Sequence, residues 1–277
     1  MRKVLFLVFC IALLNPVFGE DTKPKVNKEM ARYSQKGRMP KDAVETAIFE
    51  WIETANKKLP QYIVDYFEGV SKDYPETVDY IEGKKITEQD VVAAGYKGEL
   101  KEGKITALKK YDPKEGSFLE IESQFGRSGN RDENESELFL LTKEKTVKLA
   151  KAGRGEDNFR LLYLGKDSPL VIEGLAFSGG SGWGKNYFYY VDDKISKPFK
   201  VSNWTRGEFL LRDIDGCGLA EIISAGGRAS AKAGLADELK KKGVETSGNF
   251  IKLSRNSVAK WQNGKLEQVG DYYFYEN

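Results

Sequence analysis

Between Leu210 and Ile223 the chain passes from an apolar run, Leu210-Leu211-Arg212, through Asp213-Ile214-Asp215-Gly216-Cys217-Gly218-Leu219 to a second run, Ala220-Glu221-Ile222-Ile223. Apolar runs this short, bounded by turn residues, read as strands. Asp213, Asp215 and Glu221 can turn oxygens onto one small volume, while Gly216 and Gly218 supply the positive φ that so sharp a reversal needs. A strand, a tight loop and a returning strand commit this part of the chain to an antiparallel sheet.

The surrounding pattern agrees. After Thr87 the apolar period is close to 2, and turn residues interrupt it every ten or so positions. Asp112-Pro113-Lys114-Glu115-Gly116 is a hairpin turn between Lys104–Tyr111 and Ser117–Phe125, and Lys143-Glu144-Lys145 is another between 138–141 and 146–150. Asn263-Gly264 is a type I′ turn between 258–262 and 265–269. Gly126 to Ser136 reads as a polar loop, and Ala229 to Lys242 as a helical insertion stopped by Gly243. Three strand groups result, at 87–125, 137–202 and 207–277. A closed propeller normally needs at least four blades, so the expected fold is mainly β (α+β), with antiparallel groups resembling blades in an open or irregular arrangement.

Ahead of it, residues 41–82 read as a helical segment. Val44, Ala47, Ile48, Trp51, Ile52 and Ala55 recur at helical spacing, Pro60 interrupts, and Ile63, Val64, Phe67 and Val70 continue. The aromatic stripe of Trp51, Tyr62, Tyr66 and Phe67 is expected to pack on a sheet. Residues 20–40 are Lys-rich and poor in aliphatics, which predicts a flexible leader. Residues 1–19 have the form of a secretory signal: Arg2 and Lys3, an apolar run from Val4 to Leu14, then Val17-Phe18-Gly19. That run is far shorter than the roughly 20 residues of a spanning helix. The expected location is therefore secreted or periplasmic, with no integral membrane span after cleavage.

Without residues 1–19 the formal charge falls to zero and Cys217 is the remaining cysteine. An intramolecular disulfide is excluded, and a neutral chain without a Lys/Arg cluster has no electrostatic reason to bind nucleic acid. The chain has no histidine, which removes the commonest general base and the usual nitrogen ligand of zinc or copper.

Asp213, Asp215, Gly216, Gly218 and Glu221 resemble, in register, the FG-GAP repeat of integrin α-subunit propellers, whose loop D-x-[DN]-G-D-G-x-x-[DE] lies between two strands and holds calcium. The resemblance implies calcium ligands at Asp213, Asp215 and Glu221 and a loop scaffold at Gly216 and Gly218. Cys217 stands where the family has a carboxylate, so the expectation is a loop of the same shape without an ion, Asp side chains accepting backbone N–H groups, with a weak calcium site as the alternative.

Gly179-Gly180-Ser181-Gly182-Trp183-Gly184-Lys185-Asn186 approaches a P-loop but leads into a strand, so it reads as a loop between strands, with Trp183 and Lys185 as ligand contacts on its rim. Ser257-Val258-Ala259-Lys260 has the S-x-x-K spacing of penicillin-recognising enzymes but lies in a strand, and is read as coincidence. Trp261 is read as core. The carboxylate pairs Asp192-Asp193 and Glu120/Glu122 are read as turn and surface charges. The functional expectation is a non-enzymatic binding or structural module for an unknown protein or carbohydrate; the alternative is a polysaccharide hydrolase working through a carboxylate pair.

Overall fold

The structure, a computed structural model, describes residues 31–70, 74–75, 77–96, 98, 105–128, 131–142, 145–152, 158–179, 182–203, 207–228, 235–241 and 253–276. The signal expected at 1–19 and the start of the expected leader lie outside these residues. In chain order the elements are α1 (Ala43–Asn56), α2 (Gln61–Phe67), β1 (Asp79–Ile81), β2 (Lys84–Lys85) and α3 (Glu88–Ala93). Next come β3 (Ile105–Tyr111), β4 (Ser117–Ser128), β5 (Arg131–Leu141) and β6 (Thr146–Ala152). Then follow β7 (Phe159–Tyr163), β8 (Leu170–Gly179), β9 (Gly182–Val191), β10 (Lys194–Ile195) and β11 (Phe199–Asn203). The chain closes with β12 (Glu208–Arg212), β13 (Glu221–Arg228), α4 (Leu235–Lys241), β14 (Leu253–Gln262) and β15 (Lys265–Tyr275).

These strands form three antiparallel sheets, and no closed barrel. The first runs β2-β3-β4-β5-β6; the second runs β1-β7-β8-β9-β10, with β11 also on β9; the third is the meander β12-β13-β14-β15. The second sheet is the middle layer. One of its faces, with Phe159, Leu161, Leu170, Ile172 and Tyr190, packs on Tyr111, Phe118, Leu138 and Leu140 of the first sheet. The opposite face, with Leu162, Val171 and Tyr187, packs on Leu211, Ile222 and Ala259 of the third. Buried on both faces, its strands are apolar at consecutive positions, as in Leu170-Val171-Ile172, rather than alternating.

Helices cover the outer faces. Ile63 and Phe67 of α2 meet Tyr272 and Phe274 of β15, with Phe67 stacked on Tyr272 at 5.1 Å, and Val91 of α3 sits on Leu119 and Phe139. Trp51 of α1 stands edge-on to Tyr273 at 4.9 Å, so the aromatic stripe packs on a sheet as expected. Val44, expected inward, is 41% exposed.

Four local expectations need correction. The boundary between the first two groups falls after β6, so strands 137–152 complete the first sheet. The loop expected at 126–136 is strand, because the backbone ladder of β4 and β5 continues through Gly126–Glu133 and Ser128–Arg131 after the apolar alternation has stopped. Thr87 starts a short helix instead of a strand, capped by reciprocal bonds between Thr87 and Asp90. Residues 31–38 are docked: Asn256 Nδ2 donates to the Tyr33 carbonyl at 2.9 Å, and Arg38 reaches the Ser34 and Tyr275 carbonyls. Of the helical insertion expected at 229–242, Leu235–Lys241 is helix, and 229–234 and 242 lie outside the described residues.

The outer edge of β15 is satisfied by side chains. Asn56, at the end of α1, donates to the Tyr273 carbonyl at 2.9 Å and accepts the Tyr273 N–H at 2.8 Å; Gln35 accepts the Tyr275 N–H at 2.9 Å. Asn56 is buried, and Asn56→Ala leaves both partly buried Tyr273 groups unpaired, so urea unfolding is expected to show a loss of about 1–3 kcal/mol. An unchanged midpoint would contradict this role.

Candidate functional site

The Asp213 loop joins β12 to β13, whose flanking residues Arg212 and Glu221 are paired. The Asp213 carboxylate is buried and accepts three backbone N–H groups: Gly216 at 2.8 Å and Cys217 at 3.0 Å on Oδ1, and Gly218 at 2.8 Å on Oδ2. Gly216 and Gly218 have φ of 78° and 87°, as the reversal requires. Glu221 Oε2 accepts the Ile214 N–H at 2.8 Å.

A residue outside the motif completes the loop. Lys260, on β14 beside β13, hydrogen-bonds Asp215 Oδ2 and places its ammonium 3.8 Å from Glu221 Oε1. That oxygen is buried and has no hydrogen-bond partner. Burial opposes the ionisation of Asp215, but Lys260 and Cys217 outweigh it and hold the carboxyl below the usual range. Burial works against the Lys260 charge too, and the bond to Asp215 prevails and raises its pKa. Burial pushes Glu221 up to about 7, with Asp215 adding to it against the pull of Ile214 N–H and Lys260.

Asp213, Asp215 and Cys217 bring ligand atoms within 4.8 Å of one another, a group that can hold a metal ion; Glu221 is not part of it. The donor set suits calcium poorly. Calcium takes six to eight oxygens, whereas both Asp213 oxygens are engaged by N–H groups, Asp215 by an ammonium, and the third donor is a thiol. Cys217 is largely exposed, and partial desolvation of its thiol together with the neighbouring Asp215 raises its pKa.

The glycine segment is a hairpin rather than a rim loop, with β8 running to Gly179 and β9 starting at Gly182. Trp183 lies on β9 opposite Ser178 and Asn203. Lys185 lies in a partly buried cluster: its Nζ is 2.8 Å from Glu173 Oε1, which Arg160 also binds, and the Tyr187 hydroxyl donates to Glu173 Oε2 at 2.8 Å. Burial alone would push Glu173 up, but Lys185 and Arg160 hold it below the usual carboxylate range. Trp261 is half-buried, edge-on to Tyr189 at 4.8 Å.

Glu120 and Glu122 also depart from expectation, being 1% and 8% exposed on the inner face of β4. Tyr111 donates to Glu120 at 2.6 Å and Thr106 to Glu122 at 3.1 Å, and burial raises the Glu120 pKa. Apolar alternation could not reveal this, because two glutamates at i and i+2 look like a solvent face.

Three hairpin ends of the first and second sheets surround a cleft of ≈ 670 Å³. Glu115 comes from the β3–β4 turn, Leu140 and Leu141 from β5, Val147 and Leu149 from β6, and Tyr190 and Asp193 from the end of β9. The Tyr163 hydroxyl donates to Glu115 Oε2 at 2.5 Å and the Tyr190 hydroxyl to Asp193 Oδ1 at 3.2 Å, so both carboxylates are held in place. Sequence reasoning took both for ordinary turn residues. The available signal was Asp192-Asp193 at hairpin positions that favour Asn-Gly.

No protein-family model, curated protein or solved structure matches this chain.

Glu221 gives a pH test. Between about pH 4.5 and 7 the unfolded chain has released this proton and the folded protein has not, so ionisation costs stability as pH rises. Relative to the parent, Glu221→Gln is therefore expected to gain thermal stability progressively over pH 5 to 7 and to level off above 8. A difference that does not vary with pH would contradict the assignment.

Proposed function

We propose that this chain is an exported, non-enzymatic binding module on an FG-GAP-like β scaffold, secreted or periplasmic, with its ligand seat in the cleft at the hairpin ends. The observation that carries the reading is the cleft itself. Its volume lies in the range of small-ligand sites, and it combines an aliphatic floor with two carboxylates oriented by tyrosines. The scaffold part of the reading is supported by the Asp213–Glu221 spacing between two paired strands. Export is supported by the charged start and apolar run of residues 2–14. In this reading the Asp213 loop is structural and metal-free, with Lys260 supplying the positive charge.

A hydrolase is the second reading, favoured by the buried Glu120 and Glu122, where one carboxyl has a raised pKa as a general acid needs.

The test is methyl NMR of the Leu/Val-labelled protein titrated with a tryptic peptide pool and, separately, with cellohexaose. A binding module shifts Leu140, Leu141, Val147 and Leu149 with one of them and leaves the probe intact. Absence of shifts with both contradicts the reading. So does cleavage of cellohexaose that Glu120→Gln abolishes.

A further inference from the structure

The cleft at the hairpin ends has two unlike halves. Its floor is hydrocarbon, from Leu140, Leu141, Val147 and Leu149, while Glu115 and Asp193 bring two carboxylates against one ammonium, that of Lys145, among the described lining residues. The Glu115 side chain is only 18% exposed, so its charge is already largely out of water. A ligand that matches one half alone loses at the other: an apolar body strips water from the carboxylates, and a sugar sets hydroxyls against the floor. A cation on a hydrocarbon chain fits both.

The carboxylates narrow the cation further. An ionised carboxylate only accepts hydrogen bonds. Glu115 Oε2 takes the Tyr163 hydroxyl and Asp193 Oδ1 the Tyr190 hydroxyl, and among the described residues Asp193 Oδ2 has no partner. The remaining acceptor capacity calls for N–H donors, which a primary ammonium has and a quaternary one lacks.

One alkylammonium already stands beside Glu115. Lys114 Nζ is 4.8 Å from the centre of the Tyr163 ring and 3.9 Å from Glu115 Oε1, and a ring face next to a carboxylate attracts such a group. The Lys114 side chain is largely exposed and the ion pair is long, so it holds this place weakly.

We propose that the cleft takes a primary aliphatic amine, with its ammonium on the Glu115 and Asp193 carboxylates and its carbon chain on the leucine and valine floor. This rests on reading the cleft as the ligand seat.

Methyl NMR of the Leu/Val-labelled full chain, titrated with hexylamine at neutral pH and low ionic strength, tests it. Saturable shifts of the Leu140, Leu141, Val147 and Leu149 methyls are expected, with affinity at least tenfold weaker for hexanol and hexanoate, which keep the chain and remove or reverse the charge. Glu115→Gln and Asp193→Asn keep an acceptor for each tyrosine hydroxyl, and Asn suits the positive φ of 56° at position 193. Each should therefore leave the thermal midpoint within about 2 °C of the parent while weakening hexylamine roughly tenfold. Lys114→Gln, which removes the competing ammonium, should tighten hexylamine, a gain that misfolding cannot produce. Absence of hexylamine shifts, equal affinity for hexanol or hexanoate, or unchanged affinity in either carboxylate variant overturns the proposal. If hexylamine fails while tryptic peptides or cellohexaose shift the same methyls, the amine assignment falls and the ligand seat stands; if none of the three shifts them, both fall.

Discussion

One carboxylate holds the junction on which two of the three sheets depend. Asp213 gathers the N–H groups of Gly216, Cys217 and Gly218, and in doing so fixes the reversal between β12 and β13. The loop it shapes touches both neighbouring layers. The Ala220 N–H donates to the Leu164 carbonyl at 2.7 Å, and a Cβ added at Gly165 would come within 2.1 Å of the Gly218 carbonyl oxygen, so loop and middle sheet meet backbone to backbone. Ile214 drops into the opposite cluster, among Ile63, Phe67 and Tyr272. A loop that opened would therefore loosen α2 as well as the contact between sheets.

Stacking three sheets leaves polar side chains between layers, and each is answered by a specific partner. Glu173 is met by Lys185, Arg160 and Tyr187, Glu120 by Tyr111, and Asp215 by Lys260. A buried charge without such a partner would be costly, and with one it contributes little to stability; each partner lies in the same sheet as its carboxylate or the strands flanking it, so these contacts tie neighbouring strands together. Glu120 and Glu221 are matched on one oxygen and each leaves the other buried without a hydrogen-bond partner, that of Glu221 lying 3.8 Å from the Lys260 ammonium. Burial, with Asp215 adding to it, outweighs the pull of the Ile214 N–H and Lys260 and raises the Glu221 pKa to about 7.

Much of this was legible in the sequence. The β12–loop–β13 unit, the glycine φ values, the Asn263-Gly264 turn and the inward faces of α1 and α2 follow from local pattern, because turn chemistry and periodicity act over a few residues. What failed was information carried between distant residues. Lys260 is 45 positions from Asp215, and the S-x-x-K spacing drew attention to it for the wrong chemistry. Lys185 looked like a rim residue because its partners, Glu173 and Arg160, sit on other strands. The polar stretch of β4 and β5 pairs through backbone alone, which leaves no apolar mark. The cleft is assembled from three turns of two sheets and has no linear signature.

The most direct measurement is amide hydrogen exchange at Gly216, Cys217 and Gly218 in EDTA and then in millimolar calcium. A loop closed by its own carboxylate and lysine shows these three amides protected in EDTA to the level of the neighbouring β13 amides, with no change on adding calcium. Exchange at the rate of an open loop in EDTA, slowed by calcium, would contradict the account.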